Sequence, residues 1–273
     1  MVTKVNVNGN FQYARCFAAQ YPILTGQGMD ALRHTSIFIA GAGGLGSLVA
    51  IMAARSGFEK IYQADPQLVE ADNLNRIFAN PQFLGRSKLF AIEEFLVCFD
   101  RLQLDPDFIY TPLPFPVEDQ RVRPYLEEAD CIFSCANSPS ARLFLARYAV
   151  EQRKTLLNVG FACQPGNFMN GEVSIYRSFR TDLACPGCIS LGSEALAERP
   201  SDPLFAPPLG VIGNLAVHLL AAEITNFDGL GNARPNYFLY DGFWHSLSAH
   251  SVAADPDCKI CQSETVHERG AEQ

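Results

Sequence analysis

Four glycines, at 41, 43, 44 and 46 in the run S-I-F-I-A-G-A-G-G-L-G, are the first residues with a clear chemical use. An apolar stretch, Ile37 to Ala40, precedes them and a helical pattern follows, which predicts a buried strand, a tight turn and a helix. Gly41 and Gly43 let the backbone turn sharply and approach a ligand. Gly46 lets helix and strand pack closely, and the free N–H groups at the helix start can hold a phosphate. The ligand this chemistry predicts is a nucleotide; the other reading is a purely structural turn. Asp65 closes the next strand, about twenty residues on, where such units present an acceptor to a ribose hydroxyl. Its alternative is a cap or turn residue. Lys88 falls in the first turn of a predicted helix, where the dipole disfavours a cation, so it needs either solvent or a phosphate partner.

A second group of reactive residues is sulfur. Cys185 and Cys188 frame C-P-G-C, and Cys258 and Cys261 frame C-K-I-C. Four thiolates in two such knuckles fit a closed tetrahedral zinc site, structural because no coordination position is left for water. The alternative is two unrelated thiol pairs. A zinc site here would tie the far end of the chain to its middle. Of the other cysteines, Cys98, Cys131 and Cys135 lie in apolar runs and read as core, Cys16 has no distinctive setting, and Cys163 in G-F-A-C-Q-P-G is the one whose setting suggests a nucleophile.

These residues need a scaffold. A short helix is expected over Met29 to Arg33, after an N-terminal arm or short strand without periodicity. After Gly46, Leu48, Val49, Met52 and Ala53 share a helical face that Gly57 is placed to stop. Strands are expected over Lys60 to Ala64, Phe108 to Thr111, Asp130 to Cys135 and Thr155 to Gly160, with helices between, one of them Ser87 to Leu102. That alternation predicts an α/β fold: a doubly wound, Rossmann-like, mostly parallel sheet. Beyond Gly166, Glu172 to Tyr176 and Tyr237 to Asp241 alternate as antiparallel strands, separated by a Pro-rich stretch from Ser201 to Leu209, read as a mobile crossover or lid, and an apolar helix from about Val211 to Phe227. The protein thus divides into an arm over 1–35, a nucleotide-binding half over 36–165, and a zinc-binding half of the same domain over 166–273.

Composition narrows the function. A length of 273 residues with 48% hydrophobic content is enough to bury a substantial core. A net charge of −8 argues against a surface that wraps nucleic acid. The longest apolar run, Pro208 to Ile224, carries Asn214, His218 and Glu223, which suits a core helix and argues against a membrane span. The first residues lack the apolar centre of a secretory signal, so the expected compartment is the cytoplasm.

Taken in order, G-A-G-G-L-G at 41–46, D-N-L-N-R at 72–76, G-R-S-K at 85–88, L-G-V-I-G-N at 209–214 and the two cysteine pairs resemble the ThiF/MoeB family, bacterial relatives of ubiquitin-activating enzymes. The resemblance implies ATP- and magnesium-dependent adenylation of the C-terminal carboxylate of a ubiquitin-fold sulfur carrier or a precursor peptide, by a homodimer. It implies that Gly41, Gly43 and Gly44 approach the phosphates, that Asp65 accepts from the ribose, and that Asn73, Arg76 and Lys88 surround the triphosphate, with Arg76 and Lys88 stabilising charge on the leaving pyrophosphate. The carrier-binding surface is expected on the antiparallel half, near the lid. Two positions depart from the family pattern. Asn137 stands where an aspartate associated with magnesium and the triphosphate is expected, with Arg142 five residues on in place. Ala19 stands where an arginine contributed to the partner subunit is expected, leaving Arg15 as its substitute. The alternative function is a nucleotide-binding scaffold of the same fold that has lost turnover; a nicotinamide-dependent oxidoreductase shares the glycine turn but leaves D-N-L-N-R and Lys88 without a role.

Overall fold

The computed structural model describes residues 13–99, 107–189 and 204–262; the side chains at 97–99, Cys98 among them, lie outside the described set, as does the Pro-rich stretch up to Pro203. The elements run α1 (Tyr13–Cys16), α2 (Tyr21–His34), β1 (Ser36–Ala40), α3 (Gly44–Ser56), β2 (Lys60–Ala64), α4 (Lys88–Phe99), β3 (Ile109–Leu113), α5 (Arg123–Glu128), β4 (Cys131–Ser134), α6 (Pro139–Glu151), β5 (Thr155–Gln164), β6 (Phe168–Tyr176), α7 (Pro186–Ile189), α8 (Ala206–Thr225), β7 (Tyr237–Asp241) and β8 (Ser246–His250). One eight-stranded sheet carries them in the order β3-β2-β1-β4-β5-β6-β7-β8. The first five strands are parallel, and β6, β7 and β8 add antiparallel.

All five residues of β1 are buried, because helices cover both faces of the sheet. Ile37 and Ile39 pack with residues of α2, α3, α4 and α8, while Phe38 and Ala40 pack with α5, α6 and the cysteine cluster. The long apolar helix α8 is an inner element: Leu209, Ile212, Ala216, Val217 and Leu220 are buried in the core. Its hydropathy and length match a membrane span, but its apolar side is occupied by protein. Gly213 lets it approach α3, since a Cβ there would lie 2.7 Å from a Leu48 methyl.

Several sequence expectations shift here. The helix expected over Met29 to Arg33 is the end of α2, which starts at Tyr21 and bends at Thr25, whose φ is +64°. Residues 13–20 form a helical turn and its continuation, not a strand. Pro207 and Pro208 do not belong to a lid: they fill the first turn of α8, where a missing N–H costs nothing. β5 runs past Gly160 to Gln164, pairing with a β6 that begins at Phe168. β8 was not expected: S-L-S-A-H does alternate, but it is short and weakly apolar, and four of its five residues are exposed. Gly57 does stop α3, at φ +113°, and Cys131 and Cys135 are buried core thiols.

Candidate nucleotide site and four-cysteine cluster

The parallel strands change winding direction between β1 and β4, and in such sheets ligands bind beyond the strand ends at that point. A cavity of about 360 Å³ opens there. Its floor is the glycine turn. Gly41 has φ +100°, and a Cβ on it would sit 2.9 Å from the Cys135 carbonyl oxygen of the neighbouring strand end. A Cβ on Gly43 would meet nothing within 4 Å, so this wall is backbone open to the cavity. The start of α3 is not capped by any side-chain hydrogen bond, leaving its first N–H groups for a ligand.

The predicted residues converge on this cavity: Gly41, Gly43, Gly44, Asp65, Asn73, Arg76, Lys88 and Asn137 all line it. Asp65 is 5% exposed, and its two carboxylate oxygens accept from the backbone N–H groups of Ala42 (2.6 Å) and Gln67 (2.7 Å). It therefore pins the glycine turn, as the turn reading has it, and it also borders the cavity. Lys88 is only 8% exposed, so solvent is not its partner. Its Nζ donates to Gln67 Oε1 at 2.8 Å, and burial holds its pKa below the usual lysine value, partly offset by the charges of Asp65 and Glu70. An ammonium that is buried and whose direct partner among the described residues is a neutral amide is placed for an anion. The Arg76 guanidinium donates to the Asp72 carbonyl and forms a 3.5 Å ion pair with the Asp72 carboxylate, which fixes it at the rim. The Asn73 amide is used within its own loop, donating to Asp72 Oδ1 (2.8 Å) and accepting from Glu70 N–H. The Asn137 amide has no hydrogen-bond partner among the described residues.

Sequence reasoning missed Gln63 and gave Arg142 only as a match to the family pattern. Gln63 is fully buried; its Nε2 donates to the carbonyls of Gly41 (2.7 Å) and Gly46 (3.1 Å), and its Oε1 accepts from the Tyr110 hydroxyl at 2.8 Å. It fixes the shape of the glycine turn, and a polar residue inside the apolar strand I-Y-Q-A was its signal. Arg142, on α6, also lines the cavity. It donates to Asn158 Oδ1 and, at 2.8 Å, to the Val159 carbonyl, and burial lowers its pKa. Cys163, Arg15 and Ala19 lie outside the cavity wall; Cys163 faces Met169 across the β5–β6 pair, and the other two are exposed.

At the far side of α6, the four predicted cysteines come together, all their sulfurs within 4.8 Å of one another. Cys185 lies 3.8 Å from Cys188 and 3.7 Å from Cys258, and Cys188 lies 3.5 Å from Cys261. A tetrahedron with metal–sulfur bonds of about 2.3 Å has edges of about 3.8 Å, so the cluster has the dimensions of a zinc site. The Asp255 N–H points at Cys188 Sγ, 3.4 Å away. The tail is held beside the cluster by the Leu183–Ala253 bridge and by Asn236, whose amide accepts from Val252 N–H (2.7 Å) and donates to Val252 O (3.0 Å).

Comparison with known proteins agrees with this arrangement. The chain is 24% identical over 242 residues to molybdopterin-synthase adenylyltransferase of Escherichia coli K12, covering 86% of this chain and 90% of that protein. It is 23% identical over 239 residues to the adenylyltransferase and sulfurtransferase UBA4 of Scheffersomyces stipitis, covering 85% of this chain but 51% of that one, so it spans about half of this longer relative. In fold it is similar to E. coli MccB solved with ATP, with a TM-score of 0.71 and 19% identity over 96% of this chain and 76% of the other. Residues 17–260 match the ThiF family, and the chain belongs to it.

Proposed function

We propose that the protein is an ATP-dependent adenylyltransferase acting on the C-terminal carboxylate of a small ubiquitin-fold carrier or a precursor peptide. The observation that carries this reading is the cavity at the switch point: an open glycine turn faces a buried Lys88, which forms no ion pair among the described residues, and the rim guanidinium of Arg76. The carboxylate oxygen attacks the α-phosphorus, the new O–P bond replaces the bond to the β-phosphate oxygen, and pyrophosphate leaves. A carboxylate is already ionised at neutral pH, so the protein needs no general base. Its work is to hold the triphosphate, with Arg76 and Lys88 taking up the charge that moves onto pyrophosphate. Asp65 borders the ribose position. Magnesium would neutralise the triphosphate when bound; the Asn137 amide oxygen would hold the ion more weakly than a carboxylate because it is uncharged, and the Glu118 carboxylate lines the same cavity.

Exposed apolar side chains on the β7–β8 hairpin, Phe243, Leu247 and Trp244 (83% exposed), support docking of the acyl partner on the antiparallel half. The four-cysteine cluster would hold one zinc ion structurally. We place the protein in the cytoplasm as a homodimer, by analogy with the family. The test is exchange of labelled pyrophosphate into ATP, driven by small proteins ending in Gly-Gly or short peptides encoded beside the gene. Exchange that depends on a free C-terminal carboxylate is expected. Nucleotide binding without exchange for any of them would leave the second reading, a nucleotide-binding scaffold, which the uncharged Asn137 favours.

A further inference from the structure

We infer that Arg142 is the anchor for the substrate's terminal α-carboxylate, on the side of the cavity opposite Lys88. The assignment rests on the adenylation reading and adds to it a residue for the acyl substrate. An anion must be brought against a triphosphate, so the site needs positive charge on both sides of the reacting atoms.

Lys88 opens α4, which follows β2, whereas Arg142 lies on α6 and is bonded to β5 through Asn158 and the Val159 carbonyl. Across the sheet order, two strands, β1 and β4, separate β2 from β5. Arg142 is thus on the side from which the antiparallel strands extend, and Phe161 of β5 lines the same wall. The buried arginines among the described residues have carboxylate partners: Arg177 pairs with Glu223 at 2.6 Å, and Arg234 pairs with Glu223 and Asp228. Arg142 has no ion-pair partner among the described residues, and Glu172 acts on it only at longer range. Its two bonds go to neutral oxygens, which leaves fork donors for a bidentate carboxylate.

The test uses N-acetyl-glycylglycine, as free acid and as terminal amide, titrated calorimetrically into the full-length protein loaded with magnesium and α,β-methylene-ATP, which cannot release pyrophosphate. Wild type is expected to bind the acid about tenfold or more tighter than the amide. R142Q should bring the two within about twofold while weakening the ATP analogue by less than about threefold, and R142K should keep part of the preference. N158D supplies an internal carboxylate and should erase the preference with the guanidinium still in place; thermal midpoints establish that each variant is folded. The assignment is overturned if wild type binds acid and amide equally, if folded N158D and R142Q keep the preference, or if R142Q weakens the ATP analogue about tenfold, which would put Arg142 on the triphosphate. A wild-type protein that binds no ATP analogue would instead remove the adenylation reading itself.

Discussion

If the four-cysteine cluster holds zinc as proposed, stripping that zinc is expected to lower the melting temperature by about 8 °C. The magnitude follows from the loop that the cluster closes. Cys185 and Cys258 are 73 residues apart, and cross-linking a loop of that length removes about 15 cal/mol/K of unfolded-state entropy, or about 4.5 kcal/mol at 25 °C. A protein of 273 residues unfolds with an entropy of about 570 cal/mol/K, so 4.5 kcal/mol corresponds to about 8 °C. The assay is differential scanning fluorimetry of the protein before and after dialysis against a strong chelator, with metal content by mass spectrometry and thiol titration under native conditions. Protein purified without chelator should hold about one zinc per chain, and re-addition should restore the midpoint. A midpoint that moves by less than about 1 °C on stripping, or four freely reactive native thiols in purified protein, would refute the staple.

Arg76→Ala and Lys88→Ala should each abolish pyrophosphate exchange with only a small change in melting temperature; a large loss of stability would show these cations to be structural. Asn137→Asp should raise magnesium affinity about tenfold, read as the metal dependence of exchange or of nucleotide binding, and an unchanged dependence would end the weakened-metal argument. Nucleotide affinity should also depend on pH. Burial depresses the Lys88 pKa in the free protein, a bound triphosphate favours the ammonium, and so affinity is full below the free-protein pKa and falls as pH rises through it toward the usual lysine value of about 10.4. In Lys88→Met that alkaline decline should vanish from calorimetric titrations; its persistence would assign it to another group.

Much of the architecture was legible because its causes are local in sequence. β1, β2, β4 and β5 announce themselves as short apolar runs, and Gly57 stops a helix where its missing side chain permits φ +113°. The cysteine pairs were legible for a different reason: metal-ligand spacing survives any distance between the knuckles. What escaped depended on tertiary context. β8 is a short, mostly exposed edge strand that its pairing with β7 identifies. Pro207 and Pro208 read as loop residues until α8 is seen to start just before them. At the site, spacing identified Lys88 as unusual but not that folding buries it against Gln67. Nor does sequence reveal that Arg142 has no carboxylate partner among the described residues while Arg177 reaches Glu223, 46 residues away.

The placement of the two cysteine knuckles sets an order of assembly during synthesis. The sheet through β6 and the buried helix α8 are made while Cys185 and Cys188 still lack their counterparts at 258 and 261. Through that interval a pair of thiols stands open to oxidants, and an early disulfide between them would bar the late tail from closing. The yield of folded protein should therefore depend on keeping Cys185 and Cys188 reduced until Cys258 and Cys261 have been made.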